Sequence, residues 1–417
     1  MTGIDPETPW LPADADQNFN PLEHAGVDPS PDISMIVTPR GGDREVGRGC
    51  YLVDCGLNQG GGDNYPDFRG LGPGSVDAVF LTHAHIDHYG GLPVLEARGY
   101  LDDDAPIIAT RPTIDLTKTL LEDSLKIHRR ETNRHGDQQQ FTQQDVMAVF
   151  DRFEPVNYGG GRVGAVAEKI DRDPLVYQLG NAAHLLGSAW LMLQTEGYRV
   201  VFSGNLGGRA SHLPDITPPP QADILFLEST YGGTHSHTSF SDADRRAILE
   251  DADPAAGGKI PVIVAPSGML TGGNSPRYLV ELAARFHSAT VMLTGYQALQ
   301  TTGRTIQNQV DAEAEEIQFT TDAEPFGTDW PAADNVTWIS PDGAAEPTTR
   351  VTMPSDWVSM VGGLSGHAAQ PGLLDFARTV DPETIALIHG PDYAQEHLGN
   401  HLAKTSRASP TSLGVGD

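Results

Sequence analysis

Two cysteines, Cys50 and Cys55, are all that 417 residues contain, which excludes a disulfide framework and leaves each as an expected inert thiol. No apolar run reaches the roughly 18 residues that a membrane-spanning helix needs. The opening Met1 to Pro31 is polar and Pro-rich and lacks the apolar segment of a secretory signal, so a cytoplasmic location without a membrane partner is expected. Basic side chains are scarce: 27 Lys and Arg stand against 56 Asp and Glu, giving a formal net charge of −29. Such a surface repels polyanions at low salt. It suits molar salt, where the Debye length falls to about 3 Å. The acids are spread along the chain and form no single tail, so the composition reads as halophilic. No internal repeat is visible.

The chain is long enough for two compact domains or one large domain with an insertion. Residues 1–32 read as a disordered acidic arm punctuated by Pro6, Pro9, Pro12, Pro21, Pro29 and Pro31. Strands are expected at Ile33 to Val37, Cys50 to Val53, Ala78 to Leu81 and Ile107 to Ala109. Helices are expected from His88 through Glu96, from Pro112 to Arg130 with Pro at its start, and from Thr142 to Phe153 with Thr142 as N-cap. Short strands follow at Leu175 to Tyr177, Ala189 to Leu193, Arg199 to Phe202 and Ile224 to Leu227. Beyond Ser229 helices near Ser241 to Asp251 and Pro276 to Phe286 flank strands at Val262 to Val264 and Val291 to Leu293, the pattern of an inserted α/β unit. After the acidic stretch Ala323 to Pro347, strands Trp357 to Met360 and Ile385 to Ile388 lead to His367 and His389.

The chemistry is concentrated in His83-Ala84-His85-Ile86-Asp87-His88, where a buried-type strand meets a helix ahead of Gly90-Gly91. Four metal-capable side chains in six positions cannot all be satisfied by ordinary packing. A divalent cation compensates converging lone pairs, and imidazole and carboxylate suit zinc, with His83 and His85 on one ion and Asp87 and His88 on a neighbour. His184, in Ala183-His184-Leu185-Leu186-Gly187-Ser188, and His389, in Leu387-Ile388-His389-Gly390, repeat the grammar of apolar strand and polar terminus and are expected further ligands. Ligands at successive strand ends call for a sandwich of two sheets with a site at its edge.

At these residues the sequence resembles the β-CASP branch of the metallo-β-lactamase superfamily, which includes RNase J and the nuclease subunit of the cleavage and polyadenylation specificity factor. The resemblance rests on Gly42-Asp43-Arg44-Glu45-Val46-Gly47, Asp54-Cys55-Gly56, the His83 to His88 run, His184, Glu228-Ser229-Thr230-Tyr231-Gly232, Ser267-Gly268-Met269, Gly295-Tyr296-Gln297, Ser365-Gly366-His367 and His389. It implies an α/β fold, the metallo-β-lactamase αββα sandwich with a shortened inserted β-CASP domain. The first part of the sandwich domain would span 33–235, the insertion 236–350, the second part 351–405 and a tail 406–417. It implies a two-zinc phosphodiesterase acting on single-stranded RNA through a metal-activated hydroxide, and pairing into homodimers. Residue by residue, His83, His85 and His184 match the ligands of one zinc, and Asp87, His88 and His389 those of the other. Asp87 is thereby also placed in the catalytic set. Asp54 matches the acid supporting the histidine run from behind. Glu228 and His367 match the pair that positions or protonates the leaving oxygen. Ser267 and Gly268 match an RNA-contacting segment.

The chain departs from that pattern in three places. Where the family has an aspartate bridging both metals, Ser203-Gly204-Asn205 offers an amide, so Asn205 supplies one neutral oxygen and no anionic bridge. Either one zinc site is weak or a hydroxide alone bridges. Only 38 residues separate Glu228 from Ser267, too few for the usual central elements, which implies a smaller cover over the site. Basic clusters are few, with Arg129-Arg130 and Lys118 on one expected helix. Besides a ribonuclease, these departures allow a weakened relative that binds RNA or a protein without cutting. A small-molecule metallo-hydrolase is disfavoured by Glu228, His367 and the Gly295-Tyr296-Gln297 segment.

Overall fold

The computed structural model describes residues 50–57, 65–66, 68–135, 139–162, 175–195, 198–208, 213–233, 263–265, 267–295, 297, 301–323, 333–339, 348–361, 366–406 and 408–412. The expected strand at 33–37, the Gly42 to Gly47 motif and the expected helix at 241–251 lie outside them. The chain divides into two compact units, one of residues 1–59, 63–235 and 366–417, the other of 60–62 and 236–365.

Strands are numbered in chain order. In the larger unit, β1 (Tyr51–Val53), β2 (Ala78–Phe80), β3 (Ile107–Thr110) and β4 (Phe153–Val156) form a parallel sheet in that order. Then come β5 (Gly159–Arg162), β6 (Val176–Asn181), β7 (Ala189–Thr195), β8 (Tyr198–Phe202) and β9 (Ile224–Glu228). The smaller unit holds β10 (Val291–Leu293), β11 (Glu316–Thr321), β12 (Val336–Ile339), β13 (Thr348–Pro354) and β14 (Val358–Met360). The chain returns to the larger unit for β15 (Thr384–Ile388) and β16 (Ser409–Ser412), which complete a seven-stranded sheet ordered β16-β15-β9-β8-β7-β6-β5.

Alternation along the strands builds the layers. Tyr51, Val53, Phe80 and Ile108 of the first sheet share one buried cluster with Leu179, Leu191, Leu193, Val200, Phe202, Phe226 and Ile388 of the second. The intervening residues Leu52, Val79, Ile107 and Ala109 face the other way, onto helices at Leu92–Ala97, Arg111–His135 and Gln143–Asp151. On the far side Trp190, Val201, Leu225, Leu227, Ile385 and Leu387 pack under helices Gln370–Val380 and Asp392–Thr405. This is helix, sheet, sheet, helix, as the αββα expectation requires.

Several elements differ from the sequence reading. The helix expected from His88 through Glu96 is two short ones, Ile86–Tyr89 and Leu92–Ala97. Gly90 and Gly91 interrupt it because the backbone must touch its surroundings: a Cβ on Gly90 would lie 2.6 Å from the Ile86 carbonyl oxygen, and Gly91 donates its N–H to Cys55 O at 2.9 Å. Thr142 does cap its helix, its Oγ1 accepting from Gln144 and Asp145 N–H while Asp145 reaches back to Thr142 N at 2.6 Å. That helix stops at Asp151, and Phe153 opens β4 instead. The glycine run of β5 pairs with β6 because Gly161 leaves room for the Tyr177 ring, which a Cβ would meet at 2.4 Å. Ile263 and Val264 form no strand; Val264 is 94% exposed, so no sheet face buries it, and Val262 lies outside the described residues.

The smaller unit has its own core of Leu279, Val280, Ile306, Ile317, Phe319, Val351, Met353 and Trp357. Its strands β11, β13 and β12 form an antiparallel sheet and β10 pairs with β14. Pairing of β13 and β14 inside this unit keeps 348–360 with it, so the chain rejoins the larger unit only at Gly366.

Candidate metal centre

Strands β8, β9 and β15 run parallel, so the residues at their carboxyl ends, Asn205, Glu228 and His389, emerge at one edge of the larger sheet. Strand β7 runs antiparallel to β8, which brings the loop before it, with His184, to the same edge. Ala189 N donates to Thr82 O at 2.9 Å, tying that loop to the end of the β2 segment of the facing sheet, from which His83, His85, Asp87 and His88 project. Ligand sites outside the carboxyl ends of parallel strands are the expected outcome of such topology.

The donors fall into two groups. One donor atom each from His83, His85 and His184 lies within 4.8 Å of the others, and the same holds for Asp87, His88 and His389. In the first group His85 Nδ1 stands 3.0 Å from His83 Nε2 and 3.2 Å from His184 Nε2. In the second, His389 Nε2 is 3.2 Å and His88 Nε2 3.9 Å from Asp87 Oδ2. Asn205 lies between them, its Nδ2 3.3 Å from His83 Nε2 and 3.5 Å from His389 Nε2.

Behind the ligands stands a layer of orienting groups. Asp54 Oδ1 accepts from Thr82 N, and Oδ2 accepts from Thr82 Oγ1 and faces His88 Nδ1, all at 2.7 Å. The carboxylate thus holds the His88 proton on Nδ1 and turns the Nε2 lone pair to the centre. Thr82 Oγ1 is also 3.1 Å from His83 Nδ1, and Thr230 Oγ1 3.0 Å from His389 Nδ1. Ser188 Oγ accepts from His184 N at 3.0 Å and Leu185 N at 3.1 Å, which shapes the His184 loop. Thr82, Thr230 and Ser188 were given no role from sequence; their position beside an apolar strand end and a histidine is the signal they carry, and it is too common by itself to assign one.

Glu228 is fully buried and serves three donors. Its Oε1 accepts from Leu206 N at 3.0 Å and faces His367 Nδ1 at 3.1 Å; its Oε2 accepts from Thr230 N at 3.0 Å. His367 in turn packs its ring 4.4 Å from that of His184. Burial would raise the Glu228 pKa, but the His367 imidazole holds it below the usual carboxylate range. Ser267 and Gly268 belong to the other compact unit, where Gly268 O accepts from Gln297 Nε2 at 3.1 Å.

Electrostatically the two groups differ. Burial and the neighbouring imidazoles push His83 and His184 well below the ordinary histidine value, and burial brings His85 down to about 4. For Asp87 burial acts upward, but the surrounding His88 and His389 rings hold its carboxyl far below the usual range. Burial alone would lower His389, and its contact with Asp87 raises it instead.

This donor set fits a divalent metal such as zinc. His85 Nδ1 confronts two imidazole nitrogens, and one proton cannot satisfy both contacts. His88 Nε2 and Asn205 Oδ1 are buried with no hydrogen-bond partner among the described residues. Such orphaned acceptors are costly unless a cation takes their lone pairs. His83, His85 and His184, with their pKa values lowered, and Asp87, held ionised, are already in the protonation states that coordination requires.

An αββα sandwich with paired groups of histidine and aspartate donors at one sheet edge defines a class of proteins built to hold metal. Family models match the chain in three places: residues 45–107 the metallo-beta-lactamase superfamily, 182–306 the Beta-Casp domain, and 352–409 the Zn-dependent metallo-hydrolase RNA specificity domain. The chain belongs to the β-CASP branch of the metallo-β-lactamase superfamily. It is 36% identical to a ribonuclease of Thermus thermophilus over 54% of this chain and 51% of that protein. It is 26% identical to the transcription termination factor FttA of Methanocaldococcus jannaschii over 87% of this chain and 68% of that protein. With the cleavage and polyadenylation specificity factor 73 of Drosophila melanogaster it shares 28% identity over 51% of this chain and 31% of that protein. The chain therefore spans about half the length of the first of these. No helix among the described residues is long and apolar enough to cross a membrane.

Proposed function

We propose that this protein is a zinc-dependent ribonuclease that cleaves phosphodiester bonds in single-stranded RNA. The observation that carries the reading is the pair of three-donor groups side by side, with His88 Nε2 buried and unsatisfied and the Asn205 amide set between the groups. The ribonuclease names of several relatives support RNA as the substrate. His83, His85 and His184 would hold one zinc, and Asp87, His88 and His389 the other. When bound, such ions supply Lewis acidity to the phosphate and lower the pKa of water. His367, its Nδ1 against the Glu228 carboxylate, presents Nε2 as the proton carrier for the leaving oxygen. Glu228, ionised and fully buried, fixes that tautomer and stabilises the protonated ring. Ser267 and Gly268 are carried over as RNA contacts on the family match alone. The acidic surface gives RNA no electrostatic attraction, so molar salt and a cytoplasmic, halophilic setting complete the proposal.

A second reading is favoured by Asn205: without an anionic bridge the protein binds RNA and does not cut it. One comparison separates the two. Wild type and Asn205→Asp are purified in molar KCl, their zinc is counted by elemental analysis, and 5′-labelled and 3′-labelled single-stranded RNA is followed over time. Wild type holding zinc and degrading RNA upholds the enzyme. Cleavage by Asn205→Asp alone makes the natural protein a binding relative, and cleavage by neither removes the ribonuclease reading.

A further inference from the structure

We infer that the two halves of the centre load metal in a fixed order: the Asp87, His88 and His389 group takes the first divalent ion tightly, and the His83, His85 and His184 group holds a second at least about tenfold more weakly. The inference rests on the metal-centre reading above and goes beyond it by ranking the two sites.

Both groups are equally prepared in shape. Each gathers its donor atoms within 4.8 Å, and each has a histidine oriented from behind by a threonine hydroxyl, Thr82 for His83 and Thr230 for His389. They are not equally prepared in charge. The first ion of the order meets the Asp87 carboxylate directly, and behind His88 lies a second carboxylate, Asp54, 2.7 Å from its Nδ1. An outer carboxylate of that kind raises imidazole basicity, and losing one typically weakens metal binding 10–100-fold. The His83, His85 and His184 group contains three neutral imidazoles and no anion. Among the described residues Asn205 lies between the two groups, its side chain reaching both at 3.3 and 3.5 Å, and it carries no charge. The groups are also close, with the His83 and His88 rings 3.9 Å apart between centroids. A second dication thus enters against the repulsion of the first, with only an amide between them.

The test is a zinc titration of the chelator-stripped full chain in molar KCl, followed by calorimetry with bound metal counted by elemental analysis. Wild type is expected to give one tight equivalent and a second at least about tenfold weaker. His184→Ala should keep the tight step and lose the weak one. Asp87→Asn should lose the tight step. Asn205→Asp should tighten the weak step at least about tenfold. Two equal steps in wild type overturn the inference, as does a tight step lost in His184→Ala and kept in Asp87→Asn, or an Asn205→Asp second step that stays where it was. The wild-type titration decides even where circular dichroism shows a variant misfolded. No RNA is present, so failure of the loaded protein to cleave RNA would sink the ribonuclease and leave the loading order standing, and the converse holds equally.

Discussion

Replacing Asp54 by Asn tests whether the support behind the histidine run sets metal affinity. The residue sits at φ 62°, a left-handed conformation that asparagine tolerates well, so the backbone is not the variable. The native carboxylate is met from three directions at 2.7 Å, by Thr82 N, Thr82 Oγ1 and His88 Nδ1. An amide has one acceptor oxygen. If it stays on Thr82 N, the NH₂ confronts His88 Nδ1–H, and the ring relieves the clash only by moving its proton to Nε2, the atom that would bind metal. If the amide turns over, Thr82 N is left buried without an acceptor. Either arrangement forfeits a buried hydrogen bond, about 1–3 kcal/mol of stability. The tautomer change should lower zinc affinity about 10–100-fold, or about 1.4–2.7 kcal/mol. Chelator competition measures the affinity, and thermal unfolding with and without zinc measures the stabilisation that binding adds, which shrinks by the same amount. An Asp54→Asn protein that folds and binds zinc like wild type would show that the Asp54–His88 contact does not govern the site.

Glu228→Gln should reduce RNA cleavage by about 10²–10⁴ at unchanged zinc content, because His367 loses the anion that steadies its protonated ring; equal loss of zinc would mean a structural role. Gly56→Ala should yield little soluble protein, since its Cβ would lie 1.6 Å from Asp87 O, a backbone atom that cannot move without displacing the ligand run; normal expression with full zinc binding would refute this. Chelator-stripped protein should lose stability as pH falls from 6.5 towards 4. His85, like His83 and His184, has its pKa lowered in the fold, so the unfolded chain takes the proton first; a folded value of about 4 for His85 alone corresponds to a loss of about 3 kcal/mol once the pH is below it. His389, raised by Asp87, works in the opposite sense, adding stability that is full below pH 6.5 and fades as pH rises through its folded value. A melting temperature flat across this range at fixed salt would contradict the shifts.

The buried strands were legible because apolar runs such as Ala78 to Leu81 and Ile224 to Leu227 end abruptly in polar residues, and that punctuation marks both sheet and site. The helix over 111–135 and the Thr142 cap were legible for the same local reason. What escaped was decided by tertiary partners. Strand β5 is mostly glycine, a composition that argues against a strand until the Tyr177 ring fills the space. The acidic stretch from Ala323 contains β12, stabilised by antiparallel pairing to β13 that no local pattern announces. In the site, the candidate donors could be picked out from spacing and resemblance, and the fold gathers them into two groups. The hydroxyls of Thr82, Thr230 and Ser188 could not, because threonine and serine beside a strand end are common and only three-dimensional proximity assigns them an imidazole or an amide.

The backbone around the centre shows how its convergence is maintained. Asp54, Ala183 and His389 all take left-handed conformations, at φ 62°, 58° and 51°. For residues other than glycine each costs on the order of 1–3 kcal/mol. Each is held by a bond within its own sheet or loop: Asp54 N to Phe80 O at 2.8 Å on the adjacent strand, Ala183 N to Asn181 Oδ1 at 3.0 Å two residues back, and His389 O from Ser229 N at 3.0 Å across the β9–β15 pair. These contacts come from the sandwich itself and involve no ligand atom. The donors are therefore brought together by folding, and little further ordering is needed when metal arrives. If ordering costs are small for both groups, the difference in their affinities reduces to charge, and charge places the weight on Asp87, Asp54 and the neutral side chain of Asn205.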